Sequence, residues 1–307
     1  MPTSVREDEV GDVEADLDLD TLPEDAQEYA RTVLGETPET RVRTVQELSD
    51  MIYERGDVMP IRMDDDYLIL FLRARNFKVD AAYRLLVNYY TFRENNPDYY
   101  NVNPLDLSFI GEADAVSVMP YREQTGRRIL IYKLGKWNPS EYAADELFKA
   151  TLAILELGIL EPRAQVLGGR VIWDLEGLTM AHYWQITPAI VQKVLEIMVT
   201  SFPMKVHTIH IVNESWVFDM IFNMFKPFLG KRYRDIMFFH GSDRESLHQH
   251  IQPKYLPKVY GGIRPDYSYR DWFESLRHNP RIIKQMELLG YKRDDLEEQT
   301  VEKEVTA

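Results

Sequence analysis

The chain contains no cysteine among its 307 residues. This absence excludes disulfide bonds, cysteine nucleophiles and cysteine-ligated zinc, and it fits a reducing compartment. The sequence also lacks an N-terminal signal pattern and any run of about 18 uncharged apolar residues, so we expect a cytoplasmic protein without a membrane-spanning helix. Hydrophobic residues make up 45% of the chain, which is enough for a sizeable core in one large domain or two.

Motifs of the common catalytic sites are also absent. There is no GxSxG nucleophile elbow, Walker loop, GxGxxG fingerprint or HExxH pair. His207 and His210 lie three residues apart on a predicted strand, which would place them on opposite faces and disfavours a shared metal. We therefore predict no catalytic residue, no metal site and no cofactor. Asp174, Glu176 and His210 are the candidate bases if the protein is an enzyme.

The chain has fewer basic than acidic residues, 36 against 50, so its formal net charge is −14. The excess lies at the two ends, because residues 1–25 sum to −9 and residues 294–307 sum to −5. The body between them is formally neutral and has no basic strip interleaved with aromatic residues, so we expect no nucleic-acid partner. Its local basic clusters can therefore approach an anionic membrane surface. We predict acidic, disordered ends over residues 1–36 and 293–307.

Between these ends the hydrophobic pattern changes from one fold class to another. Residues 37–97 have apolar residues at helical spacing and predict a small helical unit. Residues 105–265 alternate strands with helices of about 15 residues, which predicts an α/β domain with parallel strand pairs. Residues 266–292 predict one or two further helices packed on the outside.

The stretch from Ser201 to Gly241 organises the α/β part. It predicts a strand at Val206–Val212, a helix over about Trp216–Leu229 and a second strand at Asp235–Phe239. The helix is apolar on nearly all sides, whereas an ordinary surface helix has one apolar face. Basic residues follow it directly. Such a segment is either a core helix with a solvated exit turn or a lid between an apolar cavity and a membrane surface.

Four ordered motifs carry a family resemblance. They are LILFLRARNFKVDAA (Leu68–Ala82), GRVIWDLEGL (Gly169–Leu178), SFPMKVHTIHIVNES (Ser201–Ser215) and LPKVYGG (Leu256–Gly262). In these motifs the chain resembles the CRAL-TRIO lipid-transfer family, in particular its tocopherol-transfer and retinaldehyde-binding branch, over about residues 38–265. The resemblance implies an N-terminal helical CRAL-TRIO unit followed by a mixed β-sheet. That sheet would floor an apolar cavity closed by an amphipathic lid helix.

The resemblance also implies the wall of a cavity for one hydrophobic ligand, with α-tocopherol as the expected cargo. Carried over by position, the wall comprises Phe148, Thr151, Leu155, Trp173, Val194, Ile197, Met198 and Phe202, completed by the lid residues Phe218, Ile221, Phe222 and Phe225. Thr151 and Leu155 stand where serines near the polar head of the ligand are expected, and Trp173 stands where a phenylalanine is expected. A retinoid, a carotenoid or another isoprenoid therefore remains open as the cargo.

A basic patch beside the lid is the second feature that the resemblance implies. In the family branch such a patch binds phosphoinositide head groups and couples them to ligand release. The matching residues are Arg75, Lys205 and Arg232, with Lys226 nearby, and His207 stands where an arginine is expected. His207 would add positive charge only as the pH falls toward about 6.5. We therefore expect transient, peripheral contact with anionic membranes.

Two other classes of function remain open from the sequence. A lipid-sensing scaffold would use the helices between Tyr269 and Leu289 to bind a protein partner that the sequence does not identify. An enzyme would use the candidate bases named above on the bound lipid, and product formed from that lipid would reveal it.

Overall fold

The computed structural model describes residues 17–20, 22–100, 103–106 and 114–291. Up to Asn95 the described chain is helical, with α1 at Glu24–Tyr29, a π-helical turn at Ala30–Leu34, α2 at Pro38–Arg55, α3 at Asp65–Ala74 and α4 at Val79–Asn95. The Thr37 hydroxyl caps α2 by accepting a hydrogen bond from the Thr40 N–H at 3.1 Å. Such caps satisfy backbone donors that have no partner inside the helix.

The prediction of a disordered end over residues 1–36 is wrong for its last part. Residues 24–34 are helical, and Ala26, Ala30 and Leu34 are buried. Ion pairs tie this segment to the body, including one of 2.7 Å between Glu36 and Arg73. The acidic charge here is paired with buried or half-buried arginines, which a composition count does not reveal. The first 16 residues and the predicted acidic end 293–307 lie outside the described residues.

The α/β part contains a five-stranded sheet in the order β1-β2-β3-β4-β5. The strands are β1 at Val116–Arg122, β2 at Arg128–Lys133, β3 at Gly169–Asp174, β4 at Val206–Val212 and β5 at Met237–Gly241. β1 and β2 pair antiparallel, and the other pairs are parallel. The mixed α/β fold is thus confirmed. β4 has the predicted bounds, whereas β5 begins two residues later than predicted and extends to Gly241.

Helices connect the parallel strands. They are α5 at Ala144–Gly158 and α6 at Pro162–Leu167 before β3; α7 at Met180–Gln185, α8 at Pro188–Leu195 and a π-helical turn at Glu196–Ser201 before β4; and α9 at Trp216–Phe225 and α10 at Lys231–Arg234 before β5. A single 3-10 turn at Lys226–Phe228 ends α9. Right-handed crossovers between strands that follow one another in order place their helices on one face of a sheet. We call this the front face.

The other face of the sheet, the back face, is covered by the chain that follows β5. Ile129, Ile131 and Ile172 pack there against a buried cluster that includes Leu256 and Tyr260. The segment also contains α11 at Arg244–His248, and it is followed by α12 at Tyr269–Arg277 and α13 at Pro280–Leu288. Because the back face is filled by side chains, an internal cavity can form only on the front.

Candidate functional site

A cavity of about 280 Å³ lies between the front face of the sheet and the helices that cover it. Alternate residues of the central strands form its floor, namely Leu130 and Tyr132 of β2, Val171 and Trp173 of β3, and Ile209 of β4. Successive side chains of a strand point to opposite faces, so the residues between these belong to the back face. α5 and α8 form the sides of the cavity, and α9 lies across the top.

Ten of the twelve predicted wall residues line this cavity. They are Phe148, Thr151, Leu155, Trp173, Val194, Met198, Phe218, Ile221, Phe222 and Phe225. Their contact with a ligand is part of the proposal made below.

Two predicted wall residues, Ile197 and Phe202, lie elsewhere. Ile197 is fully buried in the core, and the Phe202 ring packs against Tyr89 at a centroid distance of 6.2 Å. The lining residues Val194, Leu195, Met198 and Val199 follow regular helical spacing, and Ile197 lies on another face of the same helix. Phe202 follows a π-helical turn, in which its N–H donates to the Ile197 carbonyl five residues earlier at 2.8 Å.

Further residues complete the wall and were missed from the sequence. Among them are Leu134, Trp137, Leu147, Leu178, His182, Ile186, Ile190, Leu195, Val199, Met204, Val206, Leu229, Tyr233 and Met237. The floor residues carry a usable signal, since they follow the two-residue period of β2 and β3. The loop residues before α5 and α7 carry no such period, and only the folded chain brings them to the cavity.

Polar side chains gather where β2 and β3 end. Tyr132 and Trp173 are partners across the parallel ladder, and Thr151 of α5 faces the Tyr132 hydroxyl. Burial raises the pKa of Tyr132 to about 12, so its hydroxyl stays protonated. The Trp137 indole N–H donates to the Tyr142 carbonyl at 2.7 Å. This group, at the carboxyl end of the strands, is the polar end of the cavity.

His182 belongs to the same end of the cavity and is fully bonded. Its Nδ1 accepts from the Thr179 backbone N–H at 3.0 Å, which leaves Nε2 as the protonated nitrogen of the neutral ring. Nε2 then donates to the Trp137 carbonyl at 2.9 Å. His182 therefore fixes the loop that carries Trp137 and has no free donor for a ligand.

A cluster of basic side chains lies at the opposite end, where β3 and β4 begin. Arg75, Lys205 and Arg232 lie close enough for their charges to act on one another. Burial and the two neighbouring arginines lower the pKa of Lys205 to about 8, and its Nζ donates to the Asn76 side chain at 2.5 Å. We call Arg75, Lys205 and Arg232 the basic cluster.

The basic cluster and the cavity share residues. Lys205 lines the cavity, and so does Tyr233, which follows Arg232 directly. The Tyr233 hydroxyl lies 3.1 Å from the Met198 carbonyl and 3.2 Å from that of Val199, both in the π-helical turn, and it can donate to either. A movement of Lys205 or Arg232 can therefore displace residues of the cavity wall directly.

His207 and Lys226 do not join the basic cluster. The register between β3 and β4 shifts at Gly169–Arg170, so that Arg170 pairs with Thr208 and His207 becomes the extra residue of a bulge. Burial and the charges of Arg127 and Arg170 lower the pKa of His207 to about 4, so it is neutral at physiological pH. His207, which was expected to gain positive charge only toward pH 6.5, therefore adds no charge beside the basic cluster at that pH.

Lys226 lies instead in the exposed turn that ends α9. Its charge is not among those acting on Arg75 or Lys205. It therefore belongs to the outer surface of the helix rather than to the basic cluster.

The candidate catalytic bases are occupied by structural contacts or lie outside the cavity. The two Asp174 oxygens accept from the Asn213 amide at 2.7 Å and from the Tyr260 hydroxyl at 2.8 Å. His210 is fully buried with both ring nitrogens bonded, and Glu176 is exposed. None of the three candidates lines the cavity. Within the described ranges, no group of three or more His, Asp or Glu residues could hold a metal ion.

The outer surface around α9 is unusually apolar. Trp184, Trp216 and Phe228 are each more than 60% exposed, and half of Phe239 is exposed beside Phe222. Exposed apolar groups of this kind mark protein or membrane contact sites. No helix in the described part of the chain has the length and hydrophobicity needed to cross a bilayer.

The protein is a mixed α/β sheet with a helix-covered, largely apolar cavity on one face, which suits an apolar ligand. The model of the CRAL/TRIO domain matches residues 113–262. The chain is 35% identical over 253 residues to "Alpha-tocopherol transfer protein-like" of Mus musculus, covering 82% of this chain and 74% of that protein. The chain belongs to the CRAL-TRIO lipid-binding and transfer family.

Other relatives agree with this assignment. Clavesin-1 of Rattus norvegicus is 33% identical over 267 residues, covering 86% of this chain and 74% of that protein. The crystal structure of Sfh5 aligns with a TM-score of 0.46 and 13% identity over 77% of this chain and 92% of that chain. That structural similarity is weak, so the family assignment depends on the sequence relatives.

Proposed function

We propose that the protein carries one hydrophobic isoprenoid, with α-tocopherol as the first candidate, between membranes in the cytoplasm. A retinoid or carotenoid is the alternative cargo. Phosphoinositides bound at the basic cluster assist release, and α9 acts as a mobile lid. The observation that carries this proposal is the shared wall, because Lys205 and Tyr233 belong to both the cavity and the cluster's surroundings.

The apolar wall supports a carrier. A lipid the size of tocopherol exposes roughly 500 Å² of apolar surface, so its burial gains on the order of 12 kcal/mol at about 25 cal/mol per Å². A bilayer offers nearly the same gain, so transfer in either direction is close to balanced. Shape and a few polar contacts must then provide selectivity, and opening of the lid must set the rate.

The surface around α9 supports exchange at a membrane. Moving the helix outward would expose Phe218, Phe222 and Phe225, which water penalises and a bilayer accepts. Trp184 and Trp216 are already exposed beside it. The basic residues Lys226, Lys231, Arg232 and Arg234 follow along the chain, and near an anionic leaflet each adds about 1 kcal/mol of attraction. The protein would thus bind membranes peripherally and transiently.

The basic cluster suits a phosphorylated head group. Charge-assisted hydrogen bonds from arginine and lysine to phosphate are stronger than neutral ones. Phosphate bound at the cluster would also lie next to the Tyr233 hydroxyl and compete for it with the carbonyls of Met198 and Val199. Loss of that bond would loosen one side of the cavity, which couples head-group binding to release.

Transfer of fluorescent α-tocopherol to vesicles with and without phosphatidylinositol bisphosphate tests the proposal. The double variant Arg75→Ala/Arg232→Ala leaves the cavity-lining Lys205 in place, so it should change ligand affinity less than about twofold but remove the acceleration by the phosphoinositide. The control variant Lys231→Ala/Arg234→Ala also removes two positive charges, but from exposed positions of α10 outside the basic cluster. It should keep most of the acceleration by the phosphoinositide. Equal loss of binding and transfer, or equal slowing by both double variants, would contradict the proposed role of the cluster.

Competition by unlabelled lipids identifies the cargo class. Displacement by α-tocopherol at sub-micromolar concentration supports tocopherol, whereas preferential displacement by 11-cis-retinal or a carotenoid assigns the alternative.

Mass spectrometry of extracted lipid would reveal product if the protein were an enzyme. The scaffold alternative has less support, because Phe273, Leu276, Ile282 and Met286 of the C-terminal helices are buried against the body.

A further inference from the structure

One donor in the cavity wall has no partner within the protein. Across the described residues, the indole N–H of Trp173 makes no hydrogen bond to another group. The other polar side chains of the wall do have partners. Trp137 donates to Tyr142, Thr151 donates to the Leu147 carbonyl at 3.1 Å, and Lys205 donates to Asn76. His182 and Tyr233 are bonded as described above, and the Tyr132 hydroxyl faces Thr151.

Trp173, whose indole N–H has no partner, lies where a ligand is expected to bind. It is the next-to-last residue of β3, and its side chain lies beside Tyr132 in the polar end of the cavity. In open α/β sheets, ligands bind at the carboxyl ends of the parallel strands. The rest of the cavity wall is largely apolar and includes Phe218, Ile221 and Phe222 of α9, so a lipid that fills the cavity would shield the indole from water.

An indole N–H that a ligand shields from water without replacing the lost hydrogen bond destabilises the complex. A hydrocarbon would impose this cost when it fills the cavity. A ligand with an oxygen at the right place would avoid it by accepting the Trp173 hydrogen bond.

We infer that the lipid carried in this cavity presents a hydrogen-bond acceptor oxygen to the indole N–H of Trp173. The cargo is thus an oxygenated isoprenoid, with a carbonyl, ether or hydroxyl oxygen at the strand-carboxyl end of the cavity and its hydrocarbon part toward α9. This inference rests on the proposed carrier function and defines the chemistry of its cargo. It makes Trp173 a specificity-determining residue.

A cycle of two proteins and paired ligands tests the inference. Wild-type protein and Trp173→Phe are titrated with all-trans-retinal and with its analogue in which a methyl group replaces the aldehyde, and α-tocopherol is measured alongside. Trp173→Phe should weaken binding of the oxygenated lipids about three- to tenfold, whereas binding of the hydrocarbon should stay the same or tighten because the unpaired donor is gone. The ratio of the dissociation constants of the two paired ligands is compared between the two proteins. A general change in cavity volume affects both ligands and cancels in this ratio.

A control variant and a direct readout separate the hydrogen bond from packing. Phe148→Leu changes the wall without removing a donor and should affect both retinoids alike. The chain has five tryptophans, so the ¹⁵N-labelled indole signal of Trp173 can be assigned by its loss in Trp173→Phe. That signal should shift to lower field with retinal or α-tocopherol and not with the hydrocarbon.

The outcomes distinguish the two proposals. Equal weakening of both retinoids by Trp173→Phe, or an indole signal that responds equally to both, overturns the inference and leaves the carrier function standing. If the wild-type protein binds none of these lipids, the isoprenoid carrier function fails and the inference fails with it.

Discussion

At the scale of single residues, the buried histidines on the back face affect stability most directly. His210 Nδ1 lies 3.0 Å from His240 Nε2, and His210 Nε2 lies 2.9 Å from the Thr208 hydroxyl. The His250 ring packs against both histidine rings. Burial and the neighbouring histidines His240 and His250 lower the pKa of His210 to about 3. The cluster is therefore neutral in the folded protein.

This shift predicts an acid-sensitive fold. The pKa of a histidine in the unfolded chain is about 6.5. Below that pH, His210 is therefore protonated in the unfolded chain while it is still neutral in the folded protein. Stability from His210 is fully present above about pH 6.5 and is lost as the pH falls toward its folded pKa, by up to about 1.4 kcal/mol per pH unit. Urea unfolding between pH 7 and pH 4 measures this loss.

Two histidine variants make that measurement specific. His210→Gln removes the titrating ring, so its free energy of unfolding should depend less on pH than that of the wild type. His278→Gln changes an exposed histidine and should keep the wild-type dependence. A His210→Gln profile parallel to the wild type would show that the acid sensitivity arises elsewhere.

At the scale of elements, α9 is apolar toward the cavity and has exposed aromatic residues at its start and in the turn that follows it. Its inner residues Phe218 and Phe222 line the cavity and pack against Phe239 of β5, at centroid distances of 6.4 and 5.7 Å. Trp216, at its start, and Phe228, in the turn that ends it, are exposed. A core helix would bury both sides, so this arrangement favours the lid interpretation over the core interpretation.

The two sides of α9 predict two different mutant phenotypes. Phe222→Asp places a carboxylate in the cavity wall and on the surface exposed by opening, so it should lower both ligand affinity and vesicle binding at least tenfold. Phe228→Asp changes only the outer surface, so it should reduce vesicle binding and leave ligand affinity unchanged. Vesicle co-sedimentation and ligand titration measure the two effects. Unchanged co-sedimentation of both variants would contradict membrane docking through α9.

At the scale of the whole molecule, one buried charge network joins three parts of the chain. Glu156 of α5 accepts from the Tyr89 hydroxyl of α4 at 2.8 Å. Arg93 donates to Tyr89 at 3.0 Å and to the Leu289 carbonyl at 3.1 Å, and its guanidinium lies over the ring of Tyr291. The helical unit, the cavity domain and the C-terminal segment are therefore held together by one cation.

Removal of that cation should destabilise the whole protein. Arg93→Met removes the hydrogen bonds of Arg93 to Tyr89 and Leu289 together with the charge that favours ionised Glu156, which should cost about 2 kcal/mol or more. Chemical unfolding should show this loss, and Arg93→Met/Glu156→Gln should recover a large part of it because the buried carboxylate is then absent. A single variant as stable as the wild type would show that Glu156 takes up a proton in the native protein.

The local pattern of the sequence was sufficient for much of the fold and the site. Residues Val206–Val212 form a strand with the predicted bounds, and α9 with its terminal turn spans nearly the predicted range. Most predicted wall residues line the cavity because the period of a helix or strand places side chains on one face. Family motifs then indicated which face encloses the cavity.

Only the tertiary structure decided the features that depend on contacts distant in sequence or on breaks in a regular period. Phe202 follows a π-helical turn and packs outside the wall, and His207 lies in a bulge away from the basic cluster. The docking of residues 22–36 and the unpartnered N–H of Trp173 have no local signature. The sequence alone thus determined the elements and their faces, because local periodicity sets both. Partners across the fold required the structure, because long-range packing selects them.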